Sequence, residues 1–539
     1  MAASALVLAA VAAYIVVDGL CFDCDQPIAA TGTTSTTTQV LDELSADSDI
    51  REALDVDIDV RGFAAFDAGA ATTNGDGGEI STSSDGSSTS TSNGSSTTDP
   101  SANANAQGTA NGDATTTSTS TTVALTTAPP ATTAAGSNVP VSGSAIYVNP
   151  NGGNDGNDGT SQSTAIKSLQ NAFRRVQAGQ TVYLMNGEYR ETASVGSLHY
   201  FLKNSGSASN WIRVTNAPGH SPVIVATSGT ALLIEANYIE VSGLTIRGEG
   251  FSASNSWGVG VSIGRSHHVR ILNSRISGMA TSGISVNESS NVHLINNTVY
   301  ENAYWSDVNG SGISFYHQRS HGHGADYGQY HDVVIGNRVF RNENKVPSKH
   351  QNYQIITDGN GIIIDSNRNT GYGGRTLVAN NLIYDNGGRG VITWDSNHVD
   401  IMFNTTYRNG RTADIIGGAA ELAAAKVTDV KLHHNIGWAR PGNRALVIDQ
   451  HSNTSSQGNV LVTDRGDSTA WAGDTVFTGN PGLRNPSTNG GSADFRPSPG
   501  GGLIGAAAYD GIVPRDIVGT SRGGGVEPGA FEAEAVTGR

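Results

Sequence analysis

A short phrase built on asparagine returns throughout the second half of the chain. Its clearest copy runs from Asn296 to Asn302 and reads Asn-Asn-Thr-Val-Tyr-Glu-Asn. Counted from its second residue, the phrase is anchored at positions 297, 337, 381, 404 and 435, which are steps of 40, 44, 23 and 31 residues. A second phrase alternates with it and ends in glycine and an aliphatic residue, as in Ser282-Gly283-Ile284, Ser311-Gly312-Ile313 and Asn360-Gly361-Ile362. Self-similarity near two dozen residues, with insertions, predicts a solenoid.

The repeat unit is made of strands and turns. Each unit holds two or three short runs of β-branched and aromatic residues, separated by residues that favour turns. A helix of ordinary length does not fit, so stacked β-coils remain. Inward residues alternate with outward ones in such coils, and the predicted interior includes Val269, Ile271, Ile276, Val292, Leu294 and Val299. We expect the recurring asparagines to stack at one turn, where their amides bond to each other and to turn backbone.

Charge divides the 539-residue chain into two parts. Residues 1–140 hold 17 acidic and 2 basic residues, whereas the remainder holds 31 acidic and 30 basic residues. The body is therefore nearly neutral and lacks the basic excess that nucleic-acid binding requires. We expect no nucleic-acid partner.

The first 30 residues predict a signal or anchor segment. Residues 2–17 are apolar and short for a spanning helix, which suits a signal segment or a membrane anchor. Cys21 and Cys24 are the only cysteines and are interpreted as a local pair, since no further cysteine completes a zinc site.

Residues 31–143 are rich in Ser, Thr, Gly and Ala and predict a disordered, acidic linker. A more apolar island from Val40 to Phe66 is interpreted as a short helix or a docking segment. A leader, a tether and then a folded body are typical of an exported protein, either secreted, periplasmic or held at the cell surface.

The folded body is expected over residues 144–533, and both of its ends carry specific patterns. It opens with a helical pattern from Ser168 to Val176 and a strand at 179–184, and it closes with 494–497 and 516–522. These patterns resemble the right-handed parallel β-helix proteins of the pectate-lyase-like superfamily. The resemblance implies an all-β right-handed parallel β-helix, a solenoid with a short N-terminal capping helix. It also implies carbohydrate-active chemistry by a polysaccharide lyase, glycoside hydrolase or epimerase.

The repeat rhythm breaks between Gly312 and Gly361, and we predict the functional site there. The segment that follows reads Asp-Gly-Asn-Gly-Ile-Ile-Ile-Asp from Asp358 to Asp365. The resemblance implies that aspartates at such a position hold calcium, which requires six to eight oxygen ligands. Asp358, Asn360 and Asp365 are therefore candidate Ca²⁺ ligands, and the alternative is that the two aspartates cap turns.

Elimination on a uronic acid needs a base for the C5 proton and a cation near the carboxylate. Where a family that this chain resembles carries a lysine, this chain has Ile392, so we seek catalytic groups elsewhere. The catalytic candidates are Lys349, His350, Asp358 and Arg389, and the substrate-binding candidates are His317, Tyr353, Asn360 and Asp385. Arg389 has the alternative of being a structural partner of Asp385.

Three functions remain open for this chain. The first is an exported, monomeric polysaccharide lyase that cleaves a uronate-containing glycan by β-elimination. The second is a glycoside hydrolase that uses Asp358 with Asp365 or Asp385 as acid and base. The third is a non-catalytic surface protein that binds glycan or mediates adhesion. The polar segment 317–357 disfavours the third, because a purely structural solenoid has no need of it.

Overall fold

The structure is a computed structural model that describes residues 144–190, 198–321, 324–413, 415, 417–465, 470–489, 493–508, 511–523 and 525–533. Predictions for the anchor segment, the linker, Cys21 and Cys24 lie outside these residues. Within them, no helix is long and apolar enough to cross a membrane.

The chain winds into coils whose strands stack as three parallel rows, which confirms the predicted β-helix. The first row contains Leu198–Leu202, Thr230–Ile234, Val261–Gly264, Ile284–Asn287, Ile313–Tyr316, Ile362–Asp365, Val391–Trp394, the first part of Ala420–His433, and Arg444–Ser452. The second row contains Ala145–Val148, Thr181–Leu184, Ile212–Asn216, Ile239–Ser242, His267–Leu272, Ser290–Ile295, Tyr330–Ile335, Arg375–Ala379, Asn397–Met402, the last part of Ala420–His433, and Ser455–Gln457.

The third row contains Glu188–Tyr189, Val223–Ala226, Thr245–Gly248, Arg275–Ser277, Thr298–Tyr300, Arg338–Phe340, Leu382–Tyr384, Thr405–Tyr407, Ile436–Trp438, Val460–Val462 and Thr475–Phe477. Each row aligns equivalent residues of successive coils, as Ile276, Val299 and Val339 show. The predicted interior residues are fully buried, because inward positions of all three rows meet in one apolar core.

Two ladders of buried asparagines run along the third row, one at each end of its strands. The first joins Asn297, Asn337, Asn381, Asn404, Asn435 and Asn459 and ends on Asp474. From Asn337 onward, each Oδ1 accepts from both the backbone N–H and the side-chain amide of the residue one coil earlier. The second joins Asn302, Asn342, Asn386 and Asn409 and ends on Glu421. The predicted stacking of asparagines is confirmed.

A seven-residue helix, Leu169–Arg175, packs on the first coils. Ser168 accepts a hydrogen bond from the backbone N–H of Asn171 as its N-cap, and Leu169, Ala172 and Phe173 face inward. The Gln170 side chain exchanges two hydrogen bonds with the backbone of Phe201 in the first row. This is the predicted short N-terminal helix, and it begins and ends within the predicted limits.

The closing segment folds back along the outside of the coils. Leu483–Asn485 pairs antiparallel with Asp494–Pro497, and the Phe495 ring lies 5.2 Å from the Tyr407 ring of the third row. Further on, Arg522 donates to Asn380 Oδ1 at 2.8 Å. Because it covers outward apolar side chains of the second and third rows, this segment stabilises the flank of the solenoid, and it does not form a further regular coil.

A 3₁₀ turn, Lys349–Gln351, lies in the loop before the strand Ile362–Asp365.

Candidate active site

The break in the repeat consists of two loops that lie at opposite ends of the strands of the first row. Residues 317–329 follow the strand Ile313–Tyr316, whereas residues 341–361 precede the strand Ile362–Asp365. A four-residue strand spans roughly 13 Å, so the histidines of the first loop are separated from His350, the one histidine of the second loop. The polar stretch is therefore not one insert over one groove, and only the second loop adjoins Asp358.

Asp358, Asn360 and Arg389 form a compact buried cluster where the second loop enters the first row. Asn360 Nδ2 donates to Asp358 Oδ1 at 2.6 Å, and Asn360 Oδ1 accepts from the backbone N–H of Arg389 at 2.8 Å. The Arg389 guanidinium donates to the carbonyl oxygen of Thr357 at 2.9 Å. Asp358 is 4% exposed and Arg389 2% exposed, so the cluster is almost closed to solvent.

Two glycines allow this close approach. Gly359 has a φ of +82°, and a Cβ there would lie 2.5 Å from the backbone nitrogen of Asn344. A Cβ on Gly388 would lie 2.4 Å from Asn360 Oδ1. Real side chains do not tolerate such distances, so glycine at both positions lets Asp358, Asn360 and Arg389 meet.

Burial controls the ionisation of this cluster. It raises the pKa of Asp358 to about 7, against hydrogen bonds from Thr357 and Asn360 and the positive charge of Arg389, which lower it. Burial lowers the pKa of the Arg389 guanidinium to about 10, and Asp358 opposes that change. At neutral pH the carboxyl is close to half-ionised beside a fixed cation, which is a suitable state for proton transfer.

Asp365 lies at the other end of the strand that begins beside this cluster. It is fully buried, its Oδ1 accepts from Ser366 Oγ at 2.7 Å, and its Oδ2 has no partner. Burial raises its pKa well above the usual value, and the negative charges of Asp358 and Asp395 raise it further. In register it stands between Tyr316 and Trp394 on the outward side of the first row.

Lys349, His350 and Tyr353 lie in the loop before Asp358. The backbone N–H of Lys349 donates to Asp307 O at 2.8 Å, and that of His350 to Ser348 Oγ at 3.2 Å. Lys349 and His350 are partly buried, whereas Tyr353 is 61% exposed. These three residues are therefore near Asp358 in the chain, on the loop that borders the cluster.

The structure places His317 and Asp385 outside the cluster. His317 follows the C-terminal end of the strand Ile313–Tyr316, and its ring stacks on that of Tyr316 with 3.9 Å between the ring centres. Asp385 follows the third row and forms ion pairs with Arg341, Arg411 and Arg440. The positive charge of Arg389 acts on Asp358, and the carboxyl in turn opposes the lowering of the Arg389 pKa.

The predicted calcium ligands do not fit calcium in this arrangement. Asn360 turns its amide nitrogen toward Asp358, and its oxygen is already used by the backbone of Arg389. The Arg389 charge next to Asp358 opposes a second cation, and the raised pKa of Asp365 favours its neutral form. Calcium requires several anionic or carbonyl oxygens that converge. Among the residues that the structure describes, no group of three or more His, Cys, Asp or Glu side chains is placed to hold a metal.

Sequence reasoning missed the apolar surroundings of the site. Ile363, Ile392 and Trp394 point outward from the first row, yet each is at most 3% exposed and belongs to a cluster with Ala423 and Ala425. Their alternation with inward residues is visible in the sequence, but both faces are apolar there. Ile392, which stands where a lysine was sought, is one of these side chains.

The three stacked rows define a parallel β-helix, and the buried cluster of Asp358, Asn360 and Arg389 lies where the second loop joins the first row. The model of the family described as "Pel9A-like, right handed beta helix region" matches residues 146–421, about half of the chain. The chain belongs to this right-handed β-helix family.

Similarity to individual proteins is more distant. The "Uncharacterized protein YwoF" of Bacillus subtilis (strain 168) is 30% identical over 154 residues, which are 27% of this chain and 31% of YwoF. The match thus spans about a third of that relative's length. The crystal structure of pectate lyase Pel9A shares 19% identity with a TM-score of 0.45, over 72% of this chain and 96% of that one. An alginate lyase from Paenibacillus sp. str. FPU-7 shares 16% identity with a TM-score of 0.32, over 58% and 95% of the two chains.

Proposed function

We propose that this protein is a polysaccharide lyase that cleaves a uronate-containing glycan by β-elimination at Asp358 and Arg389. Asp358 is the base that removes the C5 proton, because its pKa of about 7 leaves it partly ionised at neutral pH. The bond from C4 to the glycosidic oxygen breaks as the C4=C5 double bond forms, and the leaving oxygen takes a proton from water or from the protonated Asp358. Arg389 is the cation that stabilises the negative charge developing on the neighbouring uronate carboxylate. Asn360 orients both through its two hydrogen bonds.

The observation that carries this proposal is the buried Asp358–Arg389 pair. A buried guanidinium loses several kcal/mol of hydration, and uncharged residues occupy the equivalent position in the three preceding coils, Ser282, Ser311 and Asn360. The coil therefore forms without such a charge. Elimination next to a carboxylate requires a cation and a base whose pKa lies near the working pH. Here Arg389 is the cation and Asp358 the base, whereas a calcium-dependent site would use the aspartate as a metal ligand.

One observation favours hydrolysis as the second candidate. Asp358 and Asp365 are two buried carboxyls, and the negative charge of Asp358 contributes to the raised pKa of Asp365. Two carboxyls, one protonated and one ionised, can serve as general acid and general base in glycoside hydrolysis. In that case Asp365 donates a proton to the leaving oxygen and Asp358 activates water.

Substrate access requires residues 345–356, the part of the second loop that precedes Asp358, to move. The loop lies beside the cluster and is held by the bridge between Ile356 and Ile415 and by the Lys349 backbone. Its residues 352–354 are exposed. We infer that this loop opens outward when a glycan enters and that Lys349, His350 and Tyr353 then contact the sugar.

The test is to mix the full-length protein with polygalacturonate or alginate and follow ultraviolet absorbance together with reducing ends. Rising absorbance means unsaturated ends and elimination, whereas new reducing ends without absorbance mean hydrolysis. Asp358→Asn is expected to lower kcat by roughly 100- to 10,000-fold, the usual contribution of a general base. Asp332→Asn is the matched control, because Asp332 is also fully buried with a raised pKa, of about 6, but lies in the second row. Full activity of folded Asp358→Asn would refute the proposed base.

We further propose export from the cell, with a polysaccharide as the partner outside. The proposal rests on the apolar residues 2–17 and the Ser- and Thr-rich residues 31–143. Fractionation of cells that express the full chain tests it, and recovery of the protein only from the cytoplasm would contradict it.

A further inference from the structure

A second cluster of polar and aromatic side chains lies on the outward face of the second row. Arg375 bridges two carboxylates: its Nη1 lies 2.6 Å from Asp400 Oδ1, and its Nη2 contacts Asp429. His398 Nδ1 lies 2.7 Å from Asp429 Oδ2. Lys431 Nζ lies 3.5 Å from Asp400 Oδ2. None of these residues belongs to the site at Asp358.

An exposed tyrosine covers this cluster. The Tyr327 ring stacks on the His398 imidazole, with 3.9 Å between ring centres and 24° between the planes. Arg375 Nε donates to the carbonyl oxygen of Tyr327 at 2.9 Å. Tyr327 is nevertheless 44% exposed. One ring face is thus held against His398, and the opposite face is turned to solvent in a fixed orientation.

The hydrogen bonds around Tyr327 make this surface rigid without a ligand. Asp429 holds His398 and Arg375 together, and Tyr330 donates from its hydroxyl to Asp400 at 2.6 Å. Side chains that are already ordered lose little further entropy when they bind a ligand. Packing alone does not require an aromatic face to point outward above a charged network.

The chemistry of the cluster indicates what it would bind. The two cations, Arg375 and Lys431, balance the two carboxylates, so the surface does not favour a highly charged polyanion. Lys431 and Asp429 remain 39% and 21% exposed and can donate to and accept from hydroxyl groups. A flat aromatic face with fixed donors and acceptors beside it is suited to the apolar face and the hydroxyls of a pyranose ring.

We propose that Tyr327, His398, Asp429 and Lys431 form a second saccharide-binding site, which holds a polysaccharide away from the Asp358 cluster without cleaving it. A pyranose ring stacks on the free face of Tyr327, and its hydroxyls bond to Lys431 and Asp429. His398 positions the tyrosine and does not act on the sugar. Successive coils are about 4.8 Å apart, close to the length of one sugar residue, so an extended glycan can follow the row.

Binding is measured by affinity electrophoresis and calorimetry of the full chain carrying Asp358→Asn, with a neutral galactan as the probe and polygalacturonate as the charged comparison. Tyr327→Ala is expected to weaken binding roughly tenfold, the size of one lost aromatic contact with its buried area. Tyr327→Phe keeps the ring and is expected to retain the affinity. Tyr147→Ala is the matched control, because Tyr147 also stacks on a ring, that of Tyr183, in the same row.

The outcomes separate binding from packing. Weaker binding by Tyr327→Ala alone, at an unchanged unfolding temperature and with little dependence on salt, supports the site. An unchanged affinity together with a lower unfolding temperature would show that the tyrosine only packs. Failure of the parent protein to bind the galactan would also overturn the proposal. None of these outcomes depends on whether Asp358 cleaves a glycan.

Discussion

Replacing Asn337 by alanine should show how much one step of an asparagine ladder stabilises this solenoid. Asn337 is fully buried. Its Oδ1 accepts from the backbone N–H of Asn297 at 2.9 Å, and from that residue's side chain at 3.1 Å. Its Nδ2 donates to Leu294 O at 2.9 Å and to Asn381 Oδ1 at 3.0 Å. Alanine removes all of these bonds at once.

The expected loss follows from which groups are left without a partner. The Asn297 backbone N–H becomes buried and unpaired, which costs about 1–3 kcal/mol. The Asn297 side chain keeps its bond to Ile271 O at 2.8 Å, and Asn381 Oδ1 keeps the Asn337 backbone N–H at 2.9 Å. The lost bonds from Nδ2 cost about 0.5–1.5 kcal/mol each. We expect the free energy of unfolding to fall by roughly 3–5 kcal/mol.

The assay is urea unfolding followed by circular dichroism, with Asn151→Ala as the control. Asn151 is exposed, and its side chain makes a 3.4 Å bond to the carbonyl oxygen of Asn186, so its replacement should cost less than about 1 kcal/mol. Groups of neighbouring repeats in a solenoid can unfold separately. The dependence of the unfolding free energy on urea concentration must therefore be compared as well as the midpoint of the transition. A loss below about 1 kcal/mol in Asn337→Ala, with an unchanged slope, would refute the argument that the ladder stabilises the turns.

Three further changes test the charged groups. The double replacement Asp358→Leu with Arg389→Met should leave the free energy of unfolding unchanged or higher while abolishing cleavage, because burying two charges is unfavourable; a marked loss in urea unfolding would make the pair structural. Burial raises the pKa of Glu421 from its usual 4.5 to about 8, so its share of the stability is present at low pH and is lost as pH rises through about 8. Glu421→Gln should flatten that pH dependence in thermal unfolding measured from pH 5 to 9, and an unaltered profile would contradict it. Chelator or added calcium should not shift the unfolding temperature, and a shift of several degrees would show a calcium site.

The parts of the fold that repeat were predictable from the sequence. An asparagine that recurs at one turn has the same neighbours in every coil, so its position alone indicates a ladder, and the structure bears this out from Asn297 to Asn459. The interior followed for the same reason, since alternation assigns Val269 and Val292 to one face. The short helix was predictable because Ser168 caps an apolar pattern of helical spacing.

The candidate site was less predictable because it depends on register and on loop position. An insertion of known length can enter at any of three turns of a coil, and the sequence does not say which. His317 and His350 therefore seemed to belong together, although a strand separates them. The sequence also does not show which carboxylate interacts with Arg389. Asp385 is nearer in the sequence, but it is the charge of Asp358 that acts on Arg389 in the structure. Trp394 points outward and is nevertheless buried. Predicting this requires knowing that Trp394 pairs with Asp365 of the preceding coil.

The line of residues from Ser282 through Ser311 and Asn360 to Arg389 suggests how a site can arise within a repetitive scaffold. Ser282 Oγ accepts from the backbone of Ser311, and Asn360 Oδ1 accepts from the backbone of Arg389, whereas Ser311 Oγ accepts from the side chain of Asn360. Each side chain from Ser282 to Asn360 therefore accepts a hydrogen bond from the next coil, although the side chain itself changes. The coil forms whichever side chain supplies that bond. A charged side chain at this position therefore costs only its own desolvation free energy. The neighbouring Asp358 then offsets part of that cost. The hydrogen bond between Asn360 and the backbone of Arg389 therefore orders both the turn and the candidate site. The site lies at the edge of the first row and not in a flexible loop.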